Sequence, residues 1–289
     1  MNIPYRGRFA PSPTGPLHLG SLLAALGSWL VARQAGGAWL LRIEDIDPPR
    51  ERPGMAQRHV EDLARFGFDP DEPVEFQSRC ADHYAAALAR LRDDGHAFPC
   101  LCTRSDLDAT AGVHRNCVPH PSGSVPAWRV RLPPGRVVFA DRFRGQQSAD
   151  PAHDSGDPVI LRADGYWAYQ LAVVVDDARQ GITEVVRGAD LLDSTPRQIA
   201  LQALLGLPTP AYAHLPVVRE ADGSKLSKGL RALPVDAGEP LPALRKAYSL
   251  LGQDPTVLAG PMPAARALDR LLAYFDPSRI PADDAFLPD

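Results

Sequence analysis

Lysine is almost missing from this chain. Of 31 basic residues only three are lysine, namely Lys225, Lys228 and Lys246, so cationic work elsewhere falls to arginine. Long apolar runs are missing too. The longest, residues 22–32, falls well short of the ~20 residues needed to span a bilayer. The N-terminus has no apolar stretch behind a basic start, so no secretory leader and no membrane partner are expected, and a cytoplasmic location is. Neither charge sign dominates: 31 Lys and Arg stand against 35 Asp and Glu, a net −4. That argues against a basic protein that coats nucleic acid, while a local arginine face stays open. Cysteine is sparse at four, yet Cys100, Cys102 and Cys117 fall close together. In a cytoplasmic chain such a cluster binds metal more often than it forms disulfides. No internal repeat or long charge block is visible.

What is abundant is proline, with 30 residues in 289, roughly twice the usual ~5%. The chain therefore has many fixed turns. The length suits one large domain or two modest ones, at ~100–200 residues each. Residues 5–10 read as a short strand, 17–34 as an apolar helix stopped by Gly36-Gly37, and 38–43 as a buried strand. Amphipathic stretches at 55–66 and 78–92 follow. Strand and helix in alternation predict a Rossmann-like α/β fold, a parallel sheet with helices on both faces.

We divide the chain at composition shifts. Residues 1–97 read as the first half of the Rossmann-like domain. Residues 98–157, rich in Pro, Gly, Cys and Asp, read as an α+β insertion with strand-like pieces at 127–132 and 136–140. Sheet character returns at 159–162, 169–175 and 182–187, and Ser194-Thr195-Pro196 looks like a cap and first turn for a helix over 195–205. Residues 158–232 thus make the second half. Residues 233–289 read as a short helical C-terminal region broken by Pro234, Pro240, Pro255, Pro261 and Pro263.

Two elements point to nucleotide chemistry. Residues 8–21 end a strand, pass a proline-stiffened turn and start a helix at His18-Leu19-Gly20-Ser21. Free N–H groups at a helix start attract anions, and Gly20 permits close approach of a phosphate or purine. The plainer reading is that the prolines shape a turn and His18 caps the helix. The second element is Ser224-Lys225-Leu226-Ser227-Lys228-Gly229. A short Lys/Ser loop is usually only solvated surface, but two of the chain's three lysines fall here within four positions. Compact ammonium groups on a loop can neutralise charge that develops during phosphoryl chemistry.

Together the two resemble the paired signatures of class I aminoacyl-tRNA synthetases. His18-Leu19-Gly20-Ser21 stands for "HIGH" and Lys225-Leu226-Ser227-Lys228-Gly229 for "KMSKS", with Leu, Ser and a closing Gly replacing the commonest residues. Residues 8–12, 42–50, 169–177 and 184–190 resemble the glutamate-specific branch. The resemblance implies catalytic roles for His18, Lys225 and Lys228. It implies ATP binding by His18, Gly20 and Lys228, with Mg²⁺ accompanying the ATP. It also implies an L-glutamate site at Arg8, Phe9, Ala10, Pro11, Ser12, Glu44, Tyr169 and Arg187. The residue types suit that ligand, because two carboxylates call for arginines such as Arg8 and Arg187, and an ammonium for a carboxylate such as Glu44. Tyr169 and Ser12 would add hydroxyls.

Only sixty residues follow Gly229, too few for the helical anticodon-binding part of a full glutamyl-tRNA synthetase. The chain is therefore similar to the glutamyl-queuosine tRNA(Asp) synthetases, which attach glutamate to the queuosine base in the anticodon of tRNA(Asp). A monomer is expected. Three other readings stand beside it: a glutamyl-tRNA synthetase that lost its anticodon domain and charges the 3′ end, a catalytically silent tRNA-binding paralogue, and a nucleotidyltransferase of similar fold. Arg129, Arg131, Arg136, Arg142 and Arg144 are candidates for tRNA phosphate contacts, or plain solvated surface.

Cys100, Cys102, His114 and Cys117 would make a closed Cys₃His set, a common structural zinc arrangement. The bland alternative is free cysteines or a disulfide. A loop-rich segment with little core of its own needs something to order it, which favours metal. The family often has Tyr in place of His114, which leaves His120 open as the third ligand. Cys80 reads as core.

Overall fold

The computed structural model describes residues 4–120, 123–219 and 234–286. Its first half runs β1 (Arg6–Phe9), α1 (Leu19–Gln34), β2 (Ala38–Ile43), α2 (Met55–Arg65), β3 (Glu75–Phe76) and α3 (Ala81–Asp93). β1 lies parallel to β2 in the register Arg6↔Ala38 through Phe9↔Leu41, and β2 lies parallel to β3. After β4 (Ala97–Cys100) and β5 (Ala127–Val130) come the hairpin β6 (Val137–Asp141) and β7 (Gly145–Ala149), then α4 (Pro151–Ser155) and β8 (Val159–Leu161). The second half contributes α5 (Tyr169–Arg179), β9 (Glu184–Gly188), α6 (Thr195–Leu204), β10 (Ala211–Leu215) and β11 (Val218–Arg219). The chain closes with α7 (Pro240–Leu250), α8 (Ala264–Ala273) and β12 (Ala285–Phe286), the last pairing with β11.

The expected parallel sheet is present in two parts, β3-β2-β1 and β9-β10-β6-β7. They meet where Thr183 N–H donates to the Arg6 carbonyl at 2.9 Å, which sets β9 beside β1. The strands near this seam carry most of the cavity described below. α1 is buried along nearly its whole length, from Leu22 to Ala32 apart from Ala24. It packs on β1, β2 and β9 on one side and on α7 on the other. An all-round apolar helix is what such a sandwiched position requires. None of the described helices is long and apolar enough to cross a membrane.

The structure corrects several expectations. Residues 169–175 are helix, not strand: they open α5. Four consecutive residues, Leu171 to Val174, are buried, and a short apolar run buried all round carries no periodicity to separate helix from strand. The boundary expected at 157 does not separate two sheets. Asp141 of β6 pairs with Tyr212 of β10, so the hairpin at 137–149 extends the second half's sheet. From the insertion, β4 and β5 instead join β8 in a separate sheet, antiparallel throughout. Pro240 and Pro263 do not break helices; they stand at the starts of α7 and α8, where a missing N–H does no harm. Ser194 precedes α6 without capping it, its hydroxyl accepting instead from Gln170 and Arg197.

Candidate active site

β1, β2, β9, the start of α1 and the start of α5 converge on one cavity of about 230 Å³. Eight residues singled out in the sequence line it: Arg8, Phe9, Ala10, His18, Gly20, Glu44, Tyr169 and Arg187. Two more do not. Pro11 supplies its carbonyl to Glu44 N–H at 3.0 Å, and Ser12 is exposed in the turn, away from the lining. The reason is geometric. The chain turns at Pro11, so residues beyond it leave the sheet before α1 begins. Lys225 and Lys228 lie outside the described residues, but the chain on either side reaches the cavity. Val218 lines it, and Pro234 forms a bridge with His18.

His18 caps α1, its Nδ1 accepting from Ser21 N–H at 3.3 Å. The plainer reading of this residue is therefore correct, and it does not compete with a second role, since the same ring lines the cavity. A Cβ on Gly20 would come within 3.2 Å of that ring, so glycine keeps the helix start open.

The floor is a buried charge network. Arg8 grips both oxygens of Asp177, through Nε at 3.0 Å and Nη2 at 3.2 Å. The fully buried Arg42 reaches the same carboxylate at 2.8 Å, Gln180 Oε1 at 2.6 Å and Glu44 at 3.5 Å. Asp176 anchors the far side, accepting from Gln77 at 2.8 Å and Tyr84 at 2.6 Å. Burial would raise Asp177, but the two guanidiniums outweigh it and hold the carboxyl below its ordinary value. Glu44 goes the other way. Burial pushes it up to about 6, with Arg42 and Arg8 only partly compensating.

Arg187 forms the opposite wall. Its Nε donates to His214 Nε2 at 3.1 Å, Nη1 to the Tyr169 hydroxyl at 3.1 Å, and Nη2 to Thr195 Oγ1 at 2.8 Å and the Leu191 carbonyl at 3.4 Å. None of these acceptors is charged. His214 in turn leans on Asp141, its Nδ1 lying 2.5 Å from Oδ2. Arg42, Asp177, His214 and Asp141 were not singled out in the sequence. Asp177 stood inside a quoted segment, but nothing local pairs it with Arg8, 169 positions away.

A second cluster lies beyond β4. Ligand atoms of Cys100, Cys102, His114 and Cys117 all fall within 4.8 Å of one another. His114 Nε2 is 3.3 Å from the Cys100 sulfur and 3.6 Å from that of Cys117, while its Nδ1 meets Asp157 at 2.9 Å. Asp157 thereby turns Nε2 toward the sulfurs, the arrangement usual behind metal-bound histidine. Backbone N–H groups of Cys102 and Val118 point at the sulfurs of Cys100 and Cys102. The donor set therefore fits a tetrahedral zinc ion. His120 is not part of it; it pairs with Asp106 at 3.0 Å. Gly156 closes the loop at φ +65°, where a Cβ would lie 2.1 Å from the His114 carbonyl, so only glycine fits there.

The candidate arginine face is mostly occupied. Arg129 is buried and bonds the Asp157 carbonyl, Arg142 pairs with Glu184, Arg144 with Asp284, and Arg131 stacks over Phe98. Of the five, Arg136 is exposed, its Nε on the Ser148 hydroxyl and its charge near Asp154.

The family model described as "tRNA synthetases class I (E and Q), catalytic domain" matches residues 5–122 and 119–239. A glutamyl-Q tRNA(Asp) synthetase from Xanthomonas campestris pv. campestris is 56% identical over 281 residues, covering 97% of this chain and 94% of that protein. A protein of the same name from Burkholderia cenocepacia is 54% identical over 269 residues, covering 87% and 89%. Among solved structures, a glutamate tRNA ligase from Elizabethkingia meningosepticum in complex with its amino acid superposes with a TM-score of 0.79 at 25% identity. That match covers 99% of this chain and 67% of the ligase.

Proposed function

The chain belongs to the class I glutamate and glutamine tRNA synthetase catalytic-domain family, among its glutamyl-Q tRNA(Asp) synthetases, and we propose on that premise that it activates L-glutamate with ATP and transfers it to the queuosine base of tRNA(Asp). The observation that carries this reading is the cavity's charge pattern. Two arginines and one buried carboxylate, Arg8, Arg187 and Glu44, surround a space of about 230 Å³. Two carboxylates and one ammonium are its complement.

Activation needs no protein nucleophile. An α-carboxylate oxygen of glutamate attacks the α-phosphorus of ATP in line, the bond to the bridging oxygen breaks, and pyrophosphate leaves. Arg8 and Arg187 hold the carboxylates, Glu44 the ammonium, and the wall beside Phe9 and Ala10 fixes the orientation. The start of α1, with His18 and Gly20, faces the nucleotide. Lys225 and Lys228 close over the phosphates and offset the charge that develops there, which losing the Lys228 ammonium should slow more than it weakens glutamate binding. Val218 in the cavity lining and Pro234 bridged to His18 support this placement. Mg²⁺ accompanies ATP as part of the substrate. In the second step a hydroxyl of the queuosine cyclopentene-diol attacks the acyl carbon, gives up its proton, and AMP leaves.

Cys100, Cys102, His114 and Cys117 would hold one zinc ion with a structural part to play: when bound, it ties residues 100–117 into one unit. A cavity completed within one chain supports a monomer, and substrates such as tRNA and ATP support a cytoplasmic location.

The deciding experiment offers labelled glutamate and ATP with tRNA(Asp) that carries or lacks queuosine, then locates the label by nuclease digestion. The proposal expects label in the anticodon loop of queuosine-containing tRNA only. Label on the 3′-terminal ribose, surviving removal of queuosine, would establish the rival 3′-charging reading.

A further inference from the structure

We propose that Asp141 and His214 are positioning residues that fix how Arg187 presents itself to the substrate carboxylate. The inference rests on the reading that Arg187 faces glutamate, and it adds how that arginine is held there.

Asp141 is buried, at 3% exposure. Its Oδ1 accepts three backbone N–H groups, from Phe143 at 3.1 Å, Arg144 at 2.9 Å and His214 at 3.1 Å. Only Oδ2 is left to meet the ring of His214, at 2.5 Å. The carboxylate therefore cannot swing away, and it can only accept. On the other side of the ring, Nε2 meets Arg187 Nε, which can only donate. One neutral tautomer satisfies both neighbours: the proton on Nδ1, the lone pair on Nε2. Thr195 is consistent with it, because its hydroxyl accepts from Arg187 Nη2 and keeps its own proton for Nε2, 3.2 Å away. His214 is fully buried, so water cannot substitute for either partner.

The charged neighbours agree. Burial first, and Arg187 and Arg144 with it, hold His214 below its ordinary value against the pull of Asp141, so the ring stays neutral. Tyr212 stacks beside it with ring centroids 6.2 Å apart.

The consequence falls on Arg187. A guanidinium has five N–H donors in a rigid plane. His214, Tyr169, Thr195 and Leu191 take four of them. One donor, on Nη1, remains for a ligand, and the plane cannot rotate to offer another. A substrate carboxylate is thus met from one fixed direction by a guanidinium whose four bonds go to neutral acceptors.

Asp141→Asn is the informative variant. Its Oδ1 still serves the three backbone N–H groups, so its amide nitrogen must face His214 Nδ1. The ring then takes the other tautomer and sets Nε2–H against Arg187 Nε–H. We expect the glutamate KM in pyrophosphate exchange to rise roughly 10- to 100-fold, the loss of a charge-assisted hydrogen bond, with the ATP KM unchanged and thermal unfolding shifted down by the two opposed buried donors. His214→Gln, which keeps an acceptor near Nε2, should stay close to wild type where His214→Leu does not; this pair makes the same comparison should Asp141→Asn fail to fold.

The tautomer is read separately, by ¹⁵N NMR of histidine-labelled protein without substrate. The proton on Nδ1 in wild type and on Nε2 in Asp141→Asn supports the proposal. A wild-type proton on Nε2, or an unchanged glutamate KM once the tautomer has flipped, overturns it. Failure of the glutamate reading itself shows differently, as wild-type protein with no glutamate-dependent exchange, and the NMR result still decides the relay.

Discussion

Arg8 and Arg187 face each other across one cavity, yet they are held in opposite ways. Arg8 is locked by both oxygens of Asp177, with Arg42 on the same carboxylate. Arg187 is locked by an imidazole, two hydroxyls and a carbonyl, none of them charged. A salt-bridged guanidinium has most of its field cancelled nearby, whereas one held by neutral acceptors projects its full charge. The two walls therefore divide the work: Arg8 belongs to the scaffold as much as to the site, and Arg187 supplies attraction for an anion.

The division can be broken by removing one charge at a time. Arg187→Gln should show the largest effect, a fall in kcat/KM for glutamate of about 100- to 1,000-fold. It leaves no buried carboxylate orphaned, only neutral acceptors, so its loss of stability should be the smaller of the two, about 1–2 kcal/mol. Arg8→Gln should do the reverse in kind. It strips one of two cations from buried Asp177 and should lower stability by roughly 3 kcal/mol, read by denaturant unfolding. If both substitutions cost the same stability, the contrast between the walls is wrong.

Glu44 sharpens the comparison from the other sign of charge. Its carboxyl, raised from 4.5 to about 6 by burial, is bound to a proton in the folded state where the unfolded chain has lost it. Stability thus falls as pH rises from 4.5 to about 6 and stays lower above. Glu44→Gln should relieve this and stabilise the protein at neutral pH by up to about 2 kcal/mol, while weakening glutamate binding. In the wild type the glutamate KM should climb as pH drops through about 6, because an ammonium loses its carboxylate partner. Ser12→Ala should have the smallest effect. The residue is exposed and does not line the cavity, so exchange kinetics and unfolding should match wild type, within about 0.5 kcal/mol for stability.

The sequence singled out many of the residues that line the cavity and almost none of their supports. Arg8, Glu44 and Tyr169 sit in segments whose motif is local, and β1, α1 and β2 follow from the lengths of their apolar runs and the Pro and Gly turns that bound them. The supports are long-range: Asp141 meets His214 across 73 positions and Arg8 meets Asp177 across 169. Only strand order joins them, and no local pattern encodes it. The same blindness hid the seating of residues 137–149 on β10, whose pairing turns on Tyr212↔Asp141. α5 was misread for a different reason, since three adjacent valines favour strand locally and burial on all sides overrides them. At the cysteine cluster, spacing left the third ligand open, and the fold chose His114 by placing Asp157 behind it.

Pyrophosphate exchange with each amino acid in turn decides whether Arg8, Arg187 and Glu44 form a glutamate site. Exchange should occur with glutamate alone and be lost in Arg187→Gln without loss of fold. Exchange supported by glutamine or another amino acid, or glutamate exchange that survives Arg187→Gln, would contradict that assignment.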